Sequence, residues 1–143
     1  MNVSSNIIIR KVNLDDPGLH SVIAGSIGGY PNSHKIHETI MSYNDPFNEI
    51  IGAYESNVLL GIIGLSKADE VICIHHISVL LDYRNQGVGK FLLNYLKKNY
   101  LYNKIIAETD EESIGFYEKS GFSCNPFKGK HENIRYRCEF SAN

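Results

Sequence analysis

Apolar positions along this chain fall into short runs, and the spacing within each run predicts its element. Ile7–Val12 is rich in β-branched residues and reads as a strand. Asp15-Asp16-Pro17 is a helix-start signal with proline in the first turn, so helical segments are expected over 16–26 and 33–43. Between them, Gly28-Gly29-Tyr30-Pro31-Asn32 is a loop signal. Phe47–Tyr54 and Val58–Ser66, separated by Glu55-Ser56-Asn57, predict a β-hairpin. Val71–Leu81 is apolar on both parities, interrupted by His75, His76 and Ser78, as expected of a central strand covered on both faces.

After the polar stretch Asp82–Gly87, apolar residues recur at Val88, Phe91, Leu92, Tyr95 and Leu96. That i, i+3, i+4, i+7, i+8 stripe predicts an amphipathic helix, with Lys90, Lys97 and Lys98 towards its wet side. Lys104–Thr109 reads as a strand and Glu111–Ser120 as a short helix stopped by Gly121. Phe122–Phe127 and Ile134–Phe140 read as a closing strand pair. The predicted order is β-α-α-β-β-β-α-β-α-β-β, an α/β domain over 1–143 with a mixed sheet and no repeat or linker.

Bulk properties change this picture little. Length 143, with 43% apolar and 21% charged residues, suits one globular domain with its own core. No apolar run reaches the ~20 residues that span a bilayer, and no signal peptide is recognisable. The net charge of −2 gives no basic field for nucleic acid. Residues 1–70 carry four Lys/Arg against eight Asp/Glu, and residues 71–143 ten against eight. The basic half suits an anionic ligand, and the acidic half favours a cationic partner such as a polyamine, an aminoglycoside or a lysine-containing peptide. The three cysteines, Cys73, Cys124 and Cys138, are odd in number and widely spaced, with no CxxC. They are expected to be reduced, which fits a cytoplasmic protein. His34 and His37 have no evident third ligand, so no metal site is expected.

The chemistry concentrates in Arg84-Asn85-Gln86-Gly87-Val88-Gly89, between a buried strand and a helix. N–H groups at a helix start lack intrahelical partners, and the helix dipole places partial positive charge there. Glycines let an oxyanion approach the backbone, and arginine can pair with phosphate. By spacing alone the two glycines could equally well just ease a tight turn. The stretch does not fit a Walker loop, because Phe91 follows Gly89-Lys90. Nor does it fit a dinucleotide fingerprint, because Leu92 stands where a third glycine is needed.

Val79-Leu80-Leu81-Asp82-Tyr83-Arg84-Asn85-Gln86-Gly87-Val88-Gly89 resembles the signature of the GCN5-related N-acetyltransferase (GNAT) superfamily, Val-x-x-x-x-Arg/Gln-x-x-Gly-x-Gly/Ala. Ala107–Phe122, with Phe116-Tyr117 followed by Gly121-Phe122, is similar to the superfamily's second motif. The chain departs from the pattern at Leu81, where many members have proline, and at Asp110, where many have asparagine.

The resemblance implies a six- to seven-stranded, mostly antiparallel sheet whose central strands splay apart, with acetyl-CoA in the gap. The expected cofactor contacts are Ile77, Ser78 and Val79 from the splayed strand's backbone, Arg84, Asn85, Gln86, Gly87, Val88, Gly89 and Lys90 for the pyrophosphate, and Asp110, Ser113, Phe116 and Tyr117. It implies direct acetyl transfer from the thioester to an amine of a small molecule or peptide. Tyr117 is the expected acid at the sulfur. His76, His75 or Glu108 would serve as base or hold the proton-carrying water. Tyr30 and Pro31 would line the acceptor pocket. The alternative is an acetyl-CoA-binding sensor or regulatory module of the same fold, and the oligomeric state is expected to be monomer or homodimer.

Overall fold

A computed structural model describes residues 6–27 and 31–142. The chain forms β1 (Ile8–Lys11), α1 (Leu19–Ala24), α2 (Ser33–Met41), β2 (Asn48–Glu55), β3 (Val58–Ala68), β4 (Val71–Val79), α3 (Val88–Asn99), β5 (Lys104–Thr109), α4 (Ile114–Lys119), β6 (Ser123–Lys128) and β7 (Ile134–Ser141). The expected element order holds throughout. The seven strands make one sheet in the order β1-β2-β3-β4-β5-β7-β6. All neighbours are antiparallel except β4 and β5, which run parallel and are connected through α3.

Alternation along the strands divides the core between the two faces. On one face Ile63, Leu65, Ile72 and Ile105 pack against Val88, Leu92 and Leu96 of α3 and Tyr117 of α4. On the other, Ile50 and Ile62 pack against Leu19, Val22 and Ile23 of α1 and Ile36 and Ile40 of α2. α1 starts later than the sequence suggested, at Leu19, whereas α2 starts at the expected Ser33. The Asp16 side chain accepts from the Gly18 N–H at 2.8 Å, so α1 begins after the proline turn. Asn32 caps α2 by accepting from the Lys35 N–H at 2.8 Å. β4 stops at Val79, and Leu81–Tyr83 form a single 3₁₀ turn.

Two local features position the site. In the β3–β4 ladder Gly64 pairs with His76 but Leu65 pairs with Ile74, leaving His75 as the extra residue of a β-bulge. The β4–β5 ladder ends at Ile74↔Ala107, although both strands continue, to Val79 and Thr109. Beyond that point β5 pairs only with β7, and a gap opens in the sheet.

One expectation is corrected here. Cys124 and Cys138 are not free thiols: they are disulfide-bonded, and only Cys73 is free. The β6–β7 hairpin pairs residue 124 directly with residue 138, and Cys138 is fully buried beneath the sheet's end. Hairpin register, which cysteine counting does not see, brings them together. The expectation of cytoplasm rested partly on reduced cysteines, and that ground falls away. No helix of the described residues is long and apolar enough to cross a membrane.

A disulfide closing a loop of about 15 residues constrains the unfolded chain by roughly 3 kcal/mol. Alkylation of the denatured protein should therefore modify one cysteine without reductant and three with it. Reduction should lower the melting temperature. Three modified cysteines in the unreduced protein would rule the bond out.

Candidate active site

The gap between β4 and β5 opens into a cleft of about 660 Å³ that also receives the N-terminus of α3 and one side of α4. The loop entering α3 has Asn85 at φ 63° and Gly87 at φ 89°. Two left-handed residues so close turn successive N–H groups to one side, a shape suited to anions. Gly87 is the N-cap, no side chain caps the helix, and its first turn carries no carboxylate. The first helical bond is from the Phe91 N–H to the Gly87 carbonyl, so the N–H groups of Val88, Gly89 and Lys90 lack intrahelical partners. The dipole's positive end is left open to the cleft. Gly89 has a different reason to be glycine: a Cβ there would lie 3.3 Å from the Phe116 ring, which packs against the helix start.

The Leu80 N–H donates to the Leu60 carbonyl at 2.8 Å. Alternation then directs the backbone groups of Ser78 towards β3, and those of Ile77 and Val79 into the gap. Of the three backbone contacts expected on this strand, Ser78 is thus committed to the sheet and offers its side chain instead. That side chain is 7% exposed, faces α1 and α2, and lines the cleft. Among the described residues nothing hydrogen-bonds its hydroxyl.

Tyr117 lines the cleft from the other face and is 3% exposed. Its ring meets Phe116 and Phe122 edge-on at centroid distances of 5.1 and 5.3 Å. Burial pushes the phenol up to about 12, so it is protonated at any physiological pH. No described group hydrogen-bonds its hydroxyl either.

The cleft gathers most of the residues that sequence reasoning singled out: Ile77, Ser78, Val79, Arg84, Asn85, Gly87, Val88, Gly89, Lys90, Ser113, Phe116 and Tyr117. It also adds Gly25, Tyr83, Thr109 and Glu112, which were not among the expected contacts. Gln86 and Asp110 fall outside it. Gln86 closes its own loop by donating to the Asp82 carbonyl at 3.1 Å, and Asp110 accepts from the Ser113 N–H at 3.1 Å ahead of α4. The Arg84 side chain is turned away from the helix start. Its Nε donates to the Val79 carbonyl at 2.9 Å.

His75, His76 and Glu108 lie beside the cleft rather than in its lining. The bulge brings both imidazoles to the α1/α2 face. His75 Nε2 lies 2.7 Å from Ser66 Oγ, and His76 Nδ1 lies 2.5 Å from the Tyr43 hydroxyl. Tyr43 was not foreseen from the sequence. It reaches across β3 because Gly64, opposite His76, has no Cβ to meet its hydroxyl. Burial holds Tyr43 well above the ordinary phenol range. A phenol that donates to Nδ1 leaves the neutral imidazole with its proton on Nε2. Glu108 is exposed at the end of β5 on the same face. Tyr30 lies outside the described residues, and Pro31 precedes α2 without lining the cleft.

The mixed sheet parts at its centre, and an uncapped helix start faces the gap. A family model described as the acetyltransferase (GNAT) family matches residues 19–122, and the chain belongs to that family. An uncharacterised N-acetyltransferase from the lysA 3′ region of Bacillus methanolicus is 28% identical over 103 residues, covering 68% of this chain and 84% of that protein. A GNAT family acetyltransferase from Elizabethkingia anophelis, solved with acetyl-CoA bound, superposes with a TM-score of 0.75 at 22% identity, over 97% of this chain and all of that one. The aminoglycoside 6′-N-acetyltransferase from Enterococcus faecium gives a TM-score of 0.79 at 17% identity, over 94% and 96% of the two chains.

Burial lowers the pKa of both His75 and His76, and for His76 the neighbouring His75 adds to the effect. Below about pH 6.5 the unfolded chain takes up protons that the folded chain refuses. The stability these neutral imidazoles allow at pH 7 is therefore lost as pH falls from about 6.5 through their folded values. The melting temperature should drop between pH 7.5 and 5.5, and a His75→Gln/His76→Gln variant should show a flatter profile. Parallel profiles for the two proteins would contradict the assignment.

Proposed function

We propose that this protein is an acetyl-CoA-dependent N-acetyltransferase that moves the acetyl group directly from the thioester to a primary amine of a small molecule or peptide. The observation that carries the reading is the uncapped start of α3 at the mouth of the β4–β5 gap. There the N–H groups of Val88, Gly89 and Lys90, with Asn85 and Gly87 shaping the turn, would hold the pyrophosphate. The gap-facing backbone groups of Ile77 and Val79 would satisfy pantetheine amides in the manner of an added strand. Bound there, acetyl-CoA supplies the activated acyl group.

The residues then divide the remaining work. A gap-facing N–H of Ile77 can donate to the oxygen that becomes negative as the amine adds. Tyr117, which lines the cleft, would face the departing sulfur. A phenol raised to about 12 is a poorer acid than an ordinary thiol, whose pKa is about 8.5, so its role is to donate a hydrogen bond to the thiolate rather than to surrender its proton. The amine must lose a proton. With Nε2 already protonated, His76 suits holding a water that carries the proton away better than taking it directly. His75 and Glu108 stand on the same face as further stations to solvent. Tyr117 also favours catalysis over a sensor role, since simple binding needs no donor at the sulfur.

At 100 times its dissociation constant, acetyl-CoA should raise the melting temperature by roughly 5–10 °C. Transfer to at least one amine of a broad panel should follow. Binding with no transfer to any amine would favour the sensor reading, and no thermal shift would remove the cofactor.

Tyr117→Phe keeps the ring packing and deletes one donor. Turnover should fall by roughly 10²-fold with acetyl-CoA binding nearly unchanged. Undiminished turnover would sink the role given to this hydroxyl.

A further inference from the structure

The cleft has a second polar corner, on the opposite side of the sheet from the phosphate cradle. A Cβ built on Gly25, at the end of α1, would lie 2.7 Å from Ser78 Oγ and 3.2 Å from Arg84 Nη2. Both side chains therefore close in on the Gly25 Cα, and the missing side chain of Gly25 is what lets them come together there. All three residues line the cleft. Arg84 is held in place by its Nε–Val79 bond, which leaves the outer guanidinium nitrogens facing this corner. Among the described residues no carboxylate lies within ion-pair distance of that guanidinium.

The chemistry of the corner is one-sided. A guanidinium can only donate, and a serine hydroxyl can donate. From Pro17 to His37 the chain carries no Asp or Glu. The last carbonyls of α1 are already occupied by the N–H groups of Gly25, Ser26 and Ile27. Four of the eight acidic residues in 1–70 have partners elsewhere: Asp16 with Tyr54, Glu38 with His34, Glu49 with Lys67 and Tyr100, and Glu70 with Asn103. Glu108 shares the face but lies one residue beyond the last β4–β5 pair and does not line the cleft. At this corner no carboxylate awaits a cation; Glu112 lines the same cleft from the turn before α4.

We propose that the corner formed by Gly25, Ser78 and Arg84 receives a carboxylate of the acceptor, making the preferred substrate an amine that also bears a carboxylate, as amino acids do. Arg84 and Ser78 donate to the carboxylate oxygens, which orients the amino group towards the thioester in the gap. Arg84 is then a specificity residue for the acceptor rather than a phosphate ligand. This rests on the acetyl-transfer reading above.

The test uses the intact protein and amines matched except for one carboxylate: phenylalanine with phenethylamine, tyrosine with tyramine, and histidine with histamine. Spermidine and kanamycin serve as polycations. The wild-type kcat/KM should favour the carboxylated partner by about tenfold or more, as expected for hydrogen bonds to a charged group. Arg84→Gln should reduce that ratio to near one while the KM for acetyl-CoA stays within about twofold. Ser78→Ala, which keeps the Arg84–Val79 bond, should reduce the ratio in the same direction and guards against a misfolded Arg84 variant. Gly25→Ala should raise the acceptor KM. Preference for the decarboxylated amines or the polycations would overturn the proposal. So would an Arg84→Gln variant with a raised acetyl-CoA KM and an unchanged ratio, which would make Arg84 a phosphate ligand. Transfer to no amine, alongside a thermal shift with acetyl-CoA, overturns both this proposal and catalysis but leaves the cofactor. Absence of the thermal shift overturns the underlying reading itself.

Discussion

The site depends on the failure of one pair of strands to stay together. β4 and β5 pair as far as Ile74 and Ala107, and then each follows its other neighbour, β3 or β7. A parting in the middle of a sheet leaves backbone N–H and C=O groups without partners, which is costly unless something else supplies them. Here the Arg84 guanidinium takes the Val79 carbonyl, and the rest are free for a ligand that presents amides of its own. The bulge at His75 belongs to the same parting. It resets the register of β4 against β3, so that the residues beyond it present alternate faces in a new phase.

That phase separates two kinds of chemistry across the thickness of a sheet. On the α3/α4 face lie the uncapped helix start, Phe116 and Tyr117, suited to phosphate and sulfur. On the α1/α2 face lie Ser78, His75, His76 and the end of α1. Under the proposed reading, a cleft reaching both faces would let two reactants meet through the sheet, each held by its own groups. Orientation of this sort can replace much of the entropy a bimolecular encounter would otherwise lose.

Much of this was legible in the sequence because it is written in local periodicity. The stripe Val88, Phe91, Leu92, Tyr95 and Leu96 defines α3 without reference to any other element, and Gly87 marks its start. Features that arise from register were not legible. Cys124 meets Cys138 only because the hairpin centres near His131, and His75 joins His76 on one face only because a bulge falls between them. Tyr43 reaches His76 across a strand at a glycine, a contact over 33 residues with no sequence signal beyond Gly64. The charge asymmetry could not be placed in space for a related reason. A count over residues 1–70 says nothing about where the carboxylates point, and those with described partners are tied up away from the cleft.

Tyr117 shows how packing decides what a motif residue can do. Its ring is wedged between Phe116 and Phe122, and Phe122 continues the aromatic contact to Phe140 on β7. The same apolar enclosure that fixes the ring raises the phenol to about 12. A more exposed tyrosine would be a better proton source but a less well-placed donor. Enclosure trades acidity for position, and position is what a departing thiolate needs: a donor already aimed, in surroundings where water competes poorly and a hydrogen bond to charge counts for more. In the proposed transfer the proton that ends on sulfur would come from solvent, so the phenol would never need to ionise.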